Sequence, residues 1–397
     1  MLLLRSILLL LIPGAFYFCA LYLQVGNVVP ATWQPLMDVF PYLAVASGLF
    51  FGWRFNRTRV VWAILLIVFV ERILTLSNPA GRDFFLQVSA ILLPVNLLLF
   101  CWWAERGLWT VSGLQRLLFL SLQICGVFWF YRNHAEQVLV YLSRPLPGLS
   151  FMEKAPVPQA AMLVMVLCLV GLLARFCQKP EPLEGSFSWV LVTIMTGLWL
   201  PEHFIYWAGV AAFLLTVALV ESSIKMAFSD ELTGLPARRA MNEFLLKVGR
   251  RYTVAMVDVD HFKKVNDLHG HDIGDQVLRM VATCLRRITG GGRAYRYGGE
   301  EFAVIFQNKD LERSLPHLEE LRETIARTNF VIRGRNRPRK KPEKPTKKNT
   351  GKTTIQVTVS IGVASRDDKH INADQLFKAA DQALYKAKKG GRNQVCT

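Results

Sequence analysis

Arg296-Tyr297-Gly298-Gly299-Glu300-Glu301-Phe302-Ala303-Val304-Ile305-Phe306 sets two glycines and two acids between runs that read as strands. Adjacent glycines between β-like runs signal a hairpin. Lacking a Cβ, Gly298 and Gly299 permit positive φ and let a bulky anion approach the backbone. Glu300 and Glu301 are then displayed at the hairpin tip. Tip carboxylates in a basic domain point to a divalent cation and a phosphate substrate, because Mg²⁺ prefers oxygen ligands and is usually shared between carboxylates and phosphates. In isolation a GGEE stretch is more often a charged surface turn, so its meaning depends on the rest of the chain.

Upstream, Tyr252 to Asp260 reads as an apolar strand ending in two acids. It runs into His261-Phe262-Lys263-Lys264-Val265-Asn266-Asp267 and then Gly270-His271-Asp272-Ile273-Gly274-Asp275. If this strand lies beside the hairpin, Asp258 and Glu300 can share one or two divalent ions. The main-chain N–H groups of His261 to Lys263 can then hold phosphate oxygens. Asn266 and Asp275 would face the base. Guanine offers N1–H and N2–H₂ as donors, which a carboxylate and an amide match, whereas adenine has no N1–H.

The 397 residues are 52% hydrophobic with a mean hydropathy of +0.27, and the apolar content is concentrated before about residue 220. Runs near the ~20 residues needed to cross a bilayer occur at Leu2 to Leu23, Leu36 to Trp53, Val60 to Leu76 and Phe84 to Trp103. Further runs lie at Leu117 to Tyr131, Ala160 to Cys177, Ser188 to Leu200 and Phe204 to Val220. They predict a transmembrane all-α bundle over 1–220 with about eight spans. The first run lacks a small-residue cleavage site and is read as a retained helix.

Arg54, Arg57 and Arg59 crowd the second connection, Arg106 and Arg116 the fourth, and Arg175 and Lys179 the sixth. This places the even-numbered connections and both chain ends in the cytoplasm. Glu71 and Arg72 lie near a helix end, where snorkelling toward the interface is expected. Seven cysteines show neither metal-ligand spacing nor a paired pattern, and read as free thiols in a reducing compartment.

Beyond a short helical stalk at 221–229 the composition turns basic, and most of the 47 Lys and Arg, with most of the net charge of +17, lie there. The periodicity predicts helices over Met241 to Arg250, Asp275 to Arg287, Leu311 to Arg327 and Ala373 to Lys389. Strands are predicted over Tyr252 to Val259 and Ile355 to Ala364, with the hairpin between. The expected fold is an α/β sandwich with helices around a central, mainly antiparallel sheet. The cationic, Pro-broken run 333–352 reads as a flexible loop. It could contact anionic lipid headgroups, each cation contributing about 1 kcal/mol.

From about Asp230 to Asn393 the sequence closely resembles the GGDEF family of diguanylate cyclases. The resemblance rests on six motifs in order: DELTGLPAR from Asp230, with Ala237 where Asn is usual, then VDVDHFKKVND, GHDIGDQVL, RYGGEEF, VSIGVA and ALYKAKKGGRN. It implies that Asp258, the Val259 carbonyl and Glu300 bind Mg²⁺, with Mn²⁺ as an alternative and two ions per site. Glu300 would also be the general base, and Glu301 is a further candidate ligand. Asn266, His271 and Asp275 would bind GTP. Lys388 and Arg392 resemble the family's triphosphate clamp, assisted by Lys263.

The implied reaction is condensation of two GTP into cyclic di-GMP and two pyrophosphates by a homodimer, with the chain in a bacterial inner membrane and its C-terminal domain cytoplasmic. No nucleic-acid partner is expected. The competing reading is a catalytically silent GTP-binding domain acting as a membrane-tethered scaffold. One departure stands out: where family members under product inhibition carry RxxD, this chain has Thr289 and Gly292.

Overall fold

A computed structural model of the chain describes residues 2–26, 29–144, 146, 157–331, 354–366 and 372–397. The basic run 333–352, and the lipid contact expected of it, fall outside the described residues. Two compact units emerge, Met1–Ile224 and Lys225–Thr397.

The first unit is helical: α1 (Leu2–Val25), α2 (Gln34–Arg54), α3 (Thr58–Leu76), α4 (Pro79–Trp102), α5 (Val111–Leu142), α6 (Gln159–Gln178), α7 (Pro182–Trp199) and α8 (Phe204–Phe228). These helices occupy the eight apolar runs, and six of them are long and apolar enough to cross a membrane. The other two are α3, which carries Arg59, Glu71 and Arg72, and α7, which has 18 residues with Glu184, Ser186 and Ser188 in its first half.

α4 packs against α3, α5, α6 and α7. The core is lined by Phe84, Phe100, Phe187 and Trp207, each fully buried. The charges inside are paired, as burial demands. Arg59 joins Glu105 at 2.8 Å and Glu184 at 3.3 Å. Glu71 is buried and bonded by Arg72 and Thr75, so only Arg72 of that pair reaches outward.

The second unit contains α9 (Arg238–Leu245), β1 (Tyr252–Val259), α10 (Phe262–His269), α11 (His271–Leu285), β2 (Arg293–Gly298), β3 (Glu301–Gln307) and α12 (Leu311–Arg327). It continues with β4 (Phe330–Val331), β5 (Thr354–Ile355), β6 (Val359–Arg366), α13 (Ala373–Lys389) and β7 (Val395–Cys396). The main sheet has the order β2-β3-β1-β6-β7, antiparallel except for the β6–β7 pair.

β1 lies in the middle and is buried throughout, which explains its unbroken apolar run: a strand covered on both faces has no solvent side to make polar. Ala255, Val257 and Val259 face a core shared with α11 and α12. Tyr252, Val254 and Met256 face a second core shared with α9 and α13.

Several boundaries differ from the sequence reading. The helix expected at 241–250 is α9, which starts at Arg238 and stops at Leu245, ahead of the left-handed Gly249. α11 begins at His271, four residues before its expected start, because Gly270 at φ 83° breaks the chain just before it. The strand expected from Ile355 to Ala364 is interrupted at 356–358 and divides into β5 and β6, which belong to different sheets. α10 and β7 are too short to leave a periodic signal.

Candidate active site

The hairpin is one residue out of register with the sequence reading. Gly298 pairs with Glu301, so the turn is Gly299-Glu300 rather than the glycine pair, and Gly299 alone has positive φ, at 26°. Glu300 therefore sits in the turn, and Glu301 opens β3. Across the sheet Glu301 stands directly opposite Asp258, while the Val259 amide donates to the Glu300 carbonyl at 3.4 Å. Asp258, Val259, Glu300 and Glu301 thus converge where β1 meets the hairpin.

Directly opposed residues of antiparallel strands share a face, and like charges there repel. Burial, followed by the neighbouring Asp258 carboxylate, pushes Glu300 and Glu301 above their usual range. Asp258, nearly buried at 4% exposure, is raised mainly by desolvation, against the pull of Lys388. Lys388, on the last turn of α13, places Nζ 2.9 Å from Asp258 Oδ2.

Among the described residues no cluster of three or more His, Cys, Asp or Glu is arranged to hold an ion unaided. A pair of hard carboxylates with a main-chain carbonyl nevertheless suits Mg²⁺, which keeps waters and takes remaining ligands from phosphates. The repulsion among these acids is what a cation would relieve, so the donor set fits.

The second acid at the end of β1 has another task. Asp260 is buried and accepts from Thr358 Oγ1 at 2.7 Å, Ser360 Oγ at 2.6 Å and the Asn393 amide at 3.1 Å. It ties β6 and the segment after α13 to the end of β1. That segment includes Arg392, whose exposed residue takes left-handed backbone at φ 63° and whose charge lowers Asp258's pKa.

His261 is also left-handed and turns the chain sharply from β1 into α10. The first N–H groups of α10 therefore follow directly on the end of β1, and they have no intrahelical partners. Lys263 lies exposed in that first turn.

Asn266, on α10, has its Oδ1 buried without a hydrogen-bond partner. Gly274 of α11 lies against it so closely that a Cβ there would fall 1.9 Å from Oδ1. Asp275, next in sequence, is half-buried, and His271 is exposed at the start of α11. An unsatisfied buried carbonyl oxygen beside a carboxylate-bearing helix is an acceptor suited to an N–H donor.

Arg296 and Asp230 belong to the site's scaffold, a role not evident from the linear sequence. Asp230 Oδ1 accepts from the Thr233 amide at 2.8 Å, its hydroxyl at 2.6 Å and Arg296 Nη1 at 2.7 Å. Arg296 Nη2 also donates to the Gly299 carbonyl at 2.7 Å, gripping the turn that carries Glu300. The sequence signal was one guanidinium next to the glycines and an acid in DELTG, but their 66-residue separation gives no local clue that they meet.

Comparison with known proteins points to one family. The profile of the family described as diguanylate cyclase, GGDEF domain, matches residues 227–394. Diguanylate cyclase DgcP of Pseudomonas aeruginosa is 35% identical over 184 residues, 44% of this chain and 25% of DgcP. Response regulator PleD of Caulobacter vibrioides is 35% identical over 188 residues, 44% of this chain and 37% of PleD. Protein YhcK of Bacillus subtilis is 30% identical over 265 residues, 59% of this chain and 69% of YhcK. The chain thus spans well under half of the first two relatives. The paired acids at the β1–hairpin junction, the motif order and these matches together lead to one conclusion: the chain belongs to the GGDEF family of diguanylate cyclases.

Proposed function

We propose that the chain is a membrane-bound diguanylate cyclase that joins two GTP molecules into cyclic di-GMP with release of two pyrophosphates. The observation that carries this reading is Glu301 opposite Asp258 on one face of the sheet, with Glu300 in the adjoining turn within electrostatic reach of Asp258 and Lys388 paired with Asp258. Asn266 Oδ1 accepts an N–H from guanine, and Asp275 receives the second. The α10 amides, Lys263, Lys388 and Arg392 bind the triphosphate, so Lys388 exchanges its Asp258 partner for a phosphate when substrate enters. Asp258, the Val259 carbonyl and Glu300 would hold Mg²⁺, which supplies charge neutralisation at the attacking and leaving oxygens.

Glu300, raised in pKa by burial and by its acidic neighbour, is a competent proton acceptor for the ribose 3′-hydroxyl. Each hydroxyl loses its proton to Glu300, forms a bond to the α-phosphorus of the other GTP and displaces pyrophosphate. Each domain binds one GTP, so two copies face one another and the working unit is a homodimer.

The first unit supports the membrane reading through its exterior. Leu11, Phe18, Leu122 and Leu167 point outward at 58%, 59%, 64% and 69% exposure. Apolar exteriors of this extent belong in lipid rather than water. The unit serves as a regulatory membrane region, with the GGDEF domain on the cytoplasmic side.

The test is to incubate the full chain in phospholipid nanodiscs with GTP and Mg²⁺ and to assay cyclic di-GMP. Product is expected from the wild type. Glu300→Gln should bind GTP with a turnover lower by ~10²-fold or more. A wild type that binds GTP without turning it over would instead establish the scaffold reading.

A further inference from the structure

Between α3, α4 and α5 lies a narrow cavity of about 50 Å³, room for a polar head group rather than for a whole ligand. Its wall is apolar, with Phe69, Phe85 and Phe128 among its residues, apart from a patch made by Ser89, Asn96 and Gln123. Asn96 is 1% exposed. Its amide nitrogen donates twice, to the Leu92 carbonyl at 2.9 Å and to Gln123 Oε1 at 2.8 Å. The Leu92 carbonyl can only accept, which fixes that end as nitrogen and the Gln123 atom facing it as oxygen. Asn96 Oδ1 is left buried with no hydrogen-bond partner.

A lone acceptor in an apolar wall is costly, and such groups call for an explanation. Gln123 engages its partner through oxygen, so its Nε2 is the end of that amide left to donate. A wider apolar groove of about 380 Å³, along α4 and α5, shares Val88, Leu92, Gln123 and Val127 with this cavity and lies within the ~300–1,000 Å³ range of small-molecule sites.

We propose that the cavity takes a hydroxyl of an uncharged, membrane-soluble amphiphile, which donates to Asn96 Oδ1 and accepts from Gln123 Nε2. Its apolar portion lies along the α4–α5 groove. A hydrocarbon would leave Oδ1 unpaired, and a carboxylate has no proton to give and would lose its hydration. A hydroxyl satisfies both amides at once. Long-chain alcohols and long-chain hydroquinones share this group. Binding is independent of whether the other unit turns over GTP.

The experiment uses the full chain in nanodiscs with a diazirine-bearing cetyl alcohol as photoprobe. Unlabelled cetyl alcohol, its methyl ether and an alkyl hydroquinone compete at equal mole fractions in the bilayer. Labelling is expected on peptides from α4 and α5, with the alcohol or the hydroquinone competing about 10-fold better than the ether, the scale of one buried hydrogen bond. The stronger of the two hydroxyl competitors identifies the source. Asn96→Leu should bring the hydroxyl compounds down to the ether's potency, and Leu92→Trp, which fills the cavity, should remove specific labelling. Equal competition by both hydroxyl compounds and the ether in the wild type overturns the proposal, whatever the folding of the variants. So does an undiminished preference for hydroxyl in Asn96→Leu.

Discussion

Asp258 and Glu301 oppose each other across two strands, and both are held above the usual carboxylate range by burial before any other cause. An acid with a raised folded pKa binds its proton more tightly folded than unfolded. Its contribution to stability is therefore lost as pH rises through the window from its ordinary value, about 4, to the raised one, and at neutral pH the pair is a net cost. Glu301→Gln should accordingly raise the melting temperature of the metal-free protein at pH 7 by about 2 °C. Mg²⁺ should stabilise the wild type more than this variant, and thermal denaturation with EDTA or Mg²⁺ measures both; an equal metal response in the two proteins would remove Glu301 from the cation's surroundings. At the proposed base pocket, Gly274→Ala drives a methyl group into Asn266 Oδ1. An increase of about 10-fold in KM for GTP is expected, readable from initial rates.

The hairpin is an element whose position is set from outside itself. Arg296 spans Asp230 and the Gly299 carbonyl, so it aligns the Glu300 turn without reaching substrate. Arg296→Ala should lower kcat by ~10- to 100-fold through misplacement of Glu300, with KM changed little. A purely structural defect would instead reduce the active fraction at constant kcat per active site, which active-site titration with a non-hydrolysable GTP analogue distinguishes. The connection between α11 and β2 is equally constrained. The Thr289 hydroxyl is 2.7 Å from His317 Nδ1 and from Glu320 Oε2, and a Cβ at Gly292 would meet Phe306 Cε1 at 2.8 Å. Product inhibition through this connection is expected to be weak. The double variant Thr289→Arg/Gly292→Asp should cost about 1–3 kcal/mol from overpacking without conferring submicromolar inhibition, as measured by denaturant melts and cyclic di-GMP titration.

For the whole molecule, the proposed reaction builds its product from two half-sites and so would make the dimer the catalytic unit. Mixing equal amounts of wild type and Glu300→Gln, with exchange of protomers, should leave product formation to the wild-type pairs, about a quarter of all dimers. Without exchange the activity would fall only to about half. Cyclic di-GMP yield before and after co-reconstitution separates these outcomes, and a value that stays at half would contradict the shared site.

Periodicity and residue chemistry made the eight apolar runs, the limits of β1, α12 and α13, and the acids Asp258 and Glu300 legible in the linear chain. Such features are local, because a helix or strand buries a face that its own spacing declares, whereas the hairpin turn sits one residue later than the glycine pair implies. Only the tertiary structure decided that Glu301 opposes Asp258, that Asp260 is a structural tie, that Lys388 reaches Asp258, and that Arg296 joins Asp230 to the Glu300 turn. It also left Asn96 and Asn266 each with an unpaired buried oxygen. Those relations connect residues far apart in the chain, and they exist because burial forces each polar group to find, or to await, a partner that no local pattern names.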